Sequence, residues 1–254
     1  MNYSIAFTTI VVKEVRRFTR IWPQTLLPPA VTTSLYFLIF GKLIGERIGS
    51  IDGASYMEYI VPGVILMSVI SHSYANVVSS FYSTKFQRHI EELLVSPIPN
   101  WVILAGYVSG GIIRGVMVGL VVALISLAFT KVTILHPGVS LLVFILTATL
   151  FALGGFINAV FADSFDDIAI VPSFVLTPLS YLGGVFYSVA MLPEIWQKIS
   201  LANPILYMIN AFRYGIIGVS DVNINTALII TVGFITLLTL FSLYLLHKGV
   251  GIKN

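Results

Sequence analysis

"YIVPGVILMSVISHSYANVVSSFYST", residues 59–84, contains no Asp, Glu, Lys or Arg. A helix that crosses a bilayer needs about 20 predominantly apolar residues, so this stretch is long enough to span. It is not uniformly apolar, however. Ser68, His72, Asn76, Ser79 and Ser83 recur every three or four residues and share one face of a helix. The stretch reads as a spanning helix that carries a polar stripe.

The rest of the chain follows the same pattern. Hydrophobic residues make up 57% of the 254 residues and charged residues only 10%. Mean hydropathy is +0.96. Soluble domains are about 45–50% apolar, so composition alone assigns an integral membrane protein. Four further charge-free runs of spanning length cover 21–41, 132–162, 168–193 and 222–247. A sixth apolar run, 93–130, is broken only by Arg114. The pattern predicts an all-α membrane protein with six transmembrane helices. The uncharged stretch 199–212 is short for a span and reads as re-entrant or interfacial.

Because charges are scarce, their placement predicts orientation. With six spans both termini share one side, which holds Lys13, Arg16, Arg17, Arg20, Lys85, Arg88, Lys248 and Lys253. The other side holds Lys42, Arg47, Lys131, Lys198 and Arg213, offset by Glu46, Asp52 and Glu194. The expected arrangement has cytoplasmic termini, although the loop with Asp163, Asp166 and Asp167 adds no basic residue. The net charge of +3 reflects this asymmetry and does not indicate a nucleic-acid partner. There are no cysteines, which excludes disulfides and thiolate metal sites.

Residues 1–21 do not read as a signal peptide, because Lys13 to Arg20 follow the apolar segment instead of preceding it. Phe7, Val11, Val15, Phe18 and Trp22 recur at helical spacing, with Lys13, Arg16, Arg17 and Arg20 on another face. This predicts an amphipathic helix in the cytoplasmic interface, ahead of a single transmembrane domain over 22–251.

The loop after the span at 59–84 is unusual. In "EELLVSPIP", 91–99, adjacent carboxylates abut two leucines and two prolines end the helix. Phe86, Ile90, Leu93 and Leu94 form one face of it, and Arg88 and Glu92 have the spacing of a weak ion pair. Two readings fit the residues, a solvated loop helix and an apolar ridge offered to a soluble partner. The polar stripe is open in the same way, since Ser68, His72, Asn76 and Ser79 suit either helix–helix hydrogen bonding or the wall of a substrate path. Ser173, Thr177, Ser180 and Tyr181 form a similar set on a segment that Pro172 and Pro178 should kink. Arg114, deep inside a span, is expensive in lipid and draws attention to function. Its glycine neighbours Gly106, Gly110, Gly111, Gly115 and Gly119 point to close helix packing and favour a structural role. His72 has no second ligand at metal spacing.

Four motifs in order, "IVPGVILMSVI" (60–70), "EELLVSPIP" (91–99), "DDIAIVPSFVLTPLSYLGGVFYSVAMLP" (166–193) and "NPILYMINAFRYG" (203–215), resemble the membrane subunits of ABC-2 transporters. Ser188 stands where many members of that class have proline. The resemblance implies an ATP-driven exporter permease of the bacterial inner membrane, acting as a homodimer. It also implies re-entrant helices between the fifth and sixth spans and a path lined by Ser68, His72, Asn76, Ser79, Ser173, Thr177 and Tyr181. Glu91, Glu92, Leu93, Leu94 and Pro97 then become the contact to a separate ATP-binding subunit. The sequence agrees on one point: its Gly41-Lys42 pair is followed by Leu43, so no phosphate-binding P-loop exists. The chain is therefore expected to be no enzyme and to hold no cofactor, with ATP bound by the partner. An ion-coupled transporter should carry acidic residues at the membrane midplane. An intramembrane enzyme needs a nucleophile with its base, or a metal cluster. Neither pattern is present.

Overall fold

The computed structural model describes residues 3–251, so the topological reading of Lys253 lies outside the described residues. Helix α1 covers Tyr3–Thr19. Helix α2, Trp22–Tyr36, continues through a π-helical stretch, Phe37–Ile44, into a short α3, Gly45–Ile48. A two-residue β1, Ser50–Ile51, pairs antiparallel with β2, Ala54–Ser55. There follow α4 (Tyr56–Phe86), α5 (His89–Val95), α6 (Asn100–Ser126) and α7 (Pro137–Phe161). Helices α8 (Asp167–Val171) and α9 (Thr177–Leu182) flank a second π-helical stretch, Pro172–Leu176. A 3-10 turn (Val189–Met191), α10 (Glu194–Leu201), α11 (Pro204–Ile217) and α12 (Ile224–Lys248) complete the chain.

Among the described residues, five helices are long and apolar enough to cross a membrane: Trp22–Ile48, α4, α6, α7 and α12. The run 168–193, expected as a sixth full span, differs. Its helical part, Asp167–Leu182, is built of pieces of five, five and six residues. At about 1.5 Å per residue it falls short of a hydrocarbon core of about 30 Å. Pro172 and Pro178 each lack an N–H donor, and Gly183 with left-handed Gly184 (φ 74°) ends the helix early. The predicted kink is therefore a wide-turn segment that leaves the span short.

Helix α4 is the axis of the subunit, with 72% of its apolar window buried, against 22% for Trp22–Ile48 and 17% for α12. Its N-terminal end has a capping box: the Ser55 hydroxyl accepts from the Glu58 N–H, and the Glu58 carboxylate accepts from the Ser55 N–H at 3.0 Å. Glycines on its neighbours let backbones approach closely. A β-carbon on Gly111 of α6 would lie 2.5 Å from Val77 Cγ2, 2.9 Å from Ala152 Cβ and 3.0 Å from the Ser73 carbonyl oxygen. One turn on, Gly115 faces the Ser73 hydroxyl. The opposite edge of the same glycine set receives α1: Gly106 meets Ile10, and Gly110 meets Glu14. The predicted packing role of these glycines holds, and it serves three neighbours, α1, α4 and α7. Phe81 fills the inner layer between Tyr107 and Phe156, with ring centroids 5.2 and 4.4 Å away.

The buried stripe of α1 is Ile10, Glu14 and Phe18. Of the predicted apolar face only Phe18 falls on this stripe: Phe7, Val11 and Val15 are partly buried, and Trp22 is exposed. Glu14 makes the difference. The Ser80 hydroxyl donates to its Oε1 at 2.5 Å, and Arg17 lies 3.4 Å from its Oε2, so a carboxylate occupies an inward position.

The polar segment after α9 folds against the N-terminal end of α4. Asn203 caps α11, accepting from the Ile205 N–H at 3.0 Å, and its own amide donates to the Leu179 carbonyl at 2.6 Å. Arg213, counted above among the outer-side charges, is fully buried. It donates to the Tyr59 hydroxyl at 2.9 Å and to the Gly184 carbonyl, with its guanidinium carbon 3.9 Å from the Tyr59 ring centroid. Asp221 accepts from the Ser188 hydroxyl at 2.7 Å and from the Val189 N–H at 3.1 Å. A proline at position 188 could not make the first of these bonds.

Candidate functional site

Two regions hold the residues singled out by sequence, a polar groove along α4 and a platform at its C-terminal end. The stripe on α4 divides. Ser68 and His72 border a groove of about 220 Å³ whose far wall is Pro28, Thr32 and Tyr36 of α2. Ser68 donates to the Val64 carbonyl at 3.1 Å, so its hydroxyl is satisfied within its own helix. Asn76 is fully buried instead, and its two oxygens accept from Arg17 Nη2 at 2.8 and 2.7 Å. Ser79 donates to the Ala75 carbonyl at 2.7 Å and accepts weakly from Arg17 at 3.4 Å. Asn76 and Ser79 thus anchor α1, while Ser68 and His72 stay beside open space.

Ser173 and Thr177 are exposed on the broken helix, away from that groove, and Thr177 donates to the Pro172 carbonyl at 2.9 Å across the π-helical turn. Tyr181 reaches back, with its hydroxyl 3.0 Å from that of Tyr36. The two stripes are therefore joined through α2, by one tyrosine that lines the groove and touches Tyr181. Phe186 packs against both rings at 5.7 and 5.9 Å. Sequence reasoning missed Tyr36, because it sits beside a featureless apolar run whose partner cannot be read from periodicity. It missed Glu14 as well, although the single acid among four basic residues was a visible signal.

At the C-terminal end of α4, Arg88 adopts a left-handed conformation (φ 62°) and turns the chain from α4 into α5. Ile90 is buried, whereas Leu93 and Leu94 are half-buried against the core. The expected apolar ridge thus mostly faces inward and holds α5 in place. Glu91, Glu92, Val95 and Pro97 are the residues presented outward, with Phe86 beside them. Behind α5 is a polar cavity of about 370 Å³, bordered by Tyr82, Lys85, Arg88, Glu91 and Asp163. Lys85 Nζ donates to the Val160 and Ala162 carbonyls, both at 2.8 Å, and so closes the C-terminus of α7. The Tyr82 hydroxyl adds a bond to the Asp163 carbonyl at 2.9 Å. α5 therefore stands on a platform made by the joined ends of α4 and α7. No group of acidic, histidine or cysteine side chains that could hold a metal occurs among the described residues.

Comparison with known proteins agrees with this architecture. The family model described as ABC-2 type transporter matches residues 5–217. The chain is 54% identical over 253 residues to the inner membrane transport permease YadH of Escherichia coli K12, covering 99% of this chain and 98% of that protein. It is also similar to nodulation protein J of Sinorhizobium fredii, at 28% identity over 71% of this chain and 69% of that protein. With Rhizobium leguminosarum nodulation protein J the identity is 23%, over 75% and 74%. Matched over most of its length, and near-collinear with a transport permease, the chain belongs to the ABC-2 type transporter family.

Proposed function

We propose that this chain is the membrane-spanning subunit of an ATP-driven exporter in the bacterial inner membrane, working as a homodimer with a separate ATP-binding subunit. The permease reading is supported by the family match and by the name of the Escherichia coli relative. The need for a partner follows from the missing P-loop. The observation that carries the coupling role is α5, a short helix between two spans that turns Glu91, Glu92 and Val95 outward while Ile90 packs into the bundle, next to the ends of α4 and α7 that Lys85 joins. A push on α5 passes through Arg88 and Lys85 into the ends of α4 and α7. Movement there alters the groove that Ser68, His72 and Tyr36 border, and that groove is the proposed wall of the substrate path.

Dimerisation is supported by exposure. Trp22–Ile48 and the broken helix present large apolar side chains such as Leu27, Val31, Phe174 and Val175, and one subunit offers too little wall to enclose a path. The test is copurification. Affinity-tagged chain, expressed with a candidate ATP-binding subunit of the same bacterium, should retain that subunit in a complex of two membrane and two ATPase subunits. Glu91→Lys combined with Val95→Asp should abolish retention while membrane insertion stays normal. Retention by that double variant would refute the coupling role of α5.

A further inference from the structure

Four of the ten buried side-chain nitrogen and oxygen atoms without a hydrogen-bond partner among the described residues belong to one neighbourhood: Arg17 Nε, His72 Nδ1, Asn76 Nδ2 and Arg114 Nε. They come from three helices. His72 and Asn76 are a turn apart on α4, and Gly110 and Arg114 are a turn apart on α6. Gly110 is the contact point, since a β-carbon there would lie 3.4 Å from Asn76 Nδ2 and touch Glu14 of α1. Arg17 closes the third side through its bonds to Asn76. Arg114 is in electrostatic range of both His72 and Arg17.

The charges do not balance. Glu14 offsets Arg17 at 3.4 Å and also lies 3.7 Å from Lys13. Arg114 takes part in none of the described ion pairs, and its charged neighbour Arg17 repels it. A guanidinium inside a bilayer is costly unless paired. A second copy of the chain offers no relief, because every carboxylate other than Glu14 lies in a loop, a short peripheral helix or a terminal helical turn. Among the described residues no carboxylate is left over to pair with Arg114, so an anion from outside the protein would complete the cluster.

We propose that Arg114, Arg17, His72 and Asn76 form a binding site for the phosphate group of an anionic ligand that enters from the cytoplasmic half of the membrane. Guanidinium forks match phosphate oxygens in charge and geometry, and a buried amide N–H is a natural further donor. The site does not depend on the transport reading, because a bound phosphate would satisfy these groups whether or not it is carried across.

The test uses the full chain purified in an uncharged detergent, with lipid binding followed by native mass spectrometry. The probes are dioctanoyl phosphatidylglycerol, dioctanoyl phosphatidylcholine and sodium phosphate. Phosphatidylglycerol should bind the wild type at least about tenfold more tightly than it binds Arg114→Gln, as expected for the loss of a charged hydrogen-bond donor. Arg47→Gln, at an exposed outer position, should bind like the wild type, and phosphatidylcholine should bind less tightly than phosphatidylglycerol. Displacement of the lipid by sodium phosphate identifies soluble phosphate as a ligand, and failure to displace it identifies the bilayer as the source. Either result upholds the site. Unchanged phosphatidylglycerol binding by Arg114→Gln, or equal affinity for the two lipids, overturns it. If Arg114→Gln does not accumulate, Arg114→Lys replaces it, since lysine keeps the charge but not the fork. An affinity equal to the wild type would then overturn the site.

Discussion

Gly111→Ala is the sharpest test of the packing described above. The new methyl group would meet Val77 Cγ2 at 2.5 Å, Ala152 Cβ at 2.9 Å and the Ser73 carbonyl oxygen at 3.0 Å. Only the valine methyl can rotate away. The other two are a β-carbon and a backbone atom, so α4 and α7 must both withdraw. Overpacking of this kind costs about 1–3 kcal/mol. Alanine is a better helix former than glycine by up to about 1 kcal/mol, which offsets part of the loss. With the full offset the net expectation is destabilisation by up to about 2 kcal/mol, read as a fall of up to about 8 °C in Tm. Gly233→Ala on α12 is the matched control, because nothing lies within 4 Å of a β-carbon there, and it should hold or slightly raise Tm. The assay is thermal loss of the monodisperse peak in size-exclusion chromatography, with both variants in the same detergent. If Gly111→Ala were as stable as Gly233→Ala, the close approach of α4, α6 and α7 would be wrong.

Lys85→Met frees the Val160 and Ala162 carbonyls and should cost about 1 kcal/mol; it should also lower ATP-dependent transport more than ATPase retention, as assayed in reconstituted vesicles. Arg213→Lys keeps the charge but not the bonds to Tyr59 and the Gly184 carbonyl together, and should destabilise by about 1.5–3 kcal/mol, measured by the same thermal assay. Because the chain has no cysteine, single introduced cysteines report sidedness directly. Ser50→Cys should react with an impermeant maleimide added from outside, and Gln87→Cys, exposed at the inner end of α4, should react only after permeabilisation. External labelling at position 87 would invert the proposed orientation.

Much of this architecture is legible in the residues. Charge-free runs mark the long helices, since a charge in lipid costs more than local propensity can offset, and Pro193 and Pro204 mark the starts of α10 and α11. The glycines of α6 announce close packing, though not that α1 takes one edge and α4 the other. What one chain's periodicity hides is partnership. The broken helix reads in sequence as one continuous helix because hydropathy does not register the missing N–H groups of Pro172 and Pro178. Asn76 and Ser79 looked equivalent to Ser68 and His72, and Arg17, distant in sequence, separates them. Similarly, periodicity puts Leu93 on an outward ridge, and does not show that it also packs, half-buried, against the chain's own core.

The continuity of α4 has a mechanical consequence. Its 31 residues form a rod about 46 Å long. The outer end is held by the Ser55–Glu58 box and by the Arg213 bonds to Tyr59, and the inner end by Lys85. Such a rod acts as a lever whose fulcrum lies near the outer surface. A rotation of roughly 5° moves its inner tip by about 4 Å but shifts the level of His72, near mid-length, by only about 2 Å. The arrangement gears motion down, so an excursion at the end that Lys85 ties to α7 would become a smaller, more forceful displacement at the level of His72.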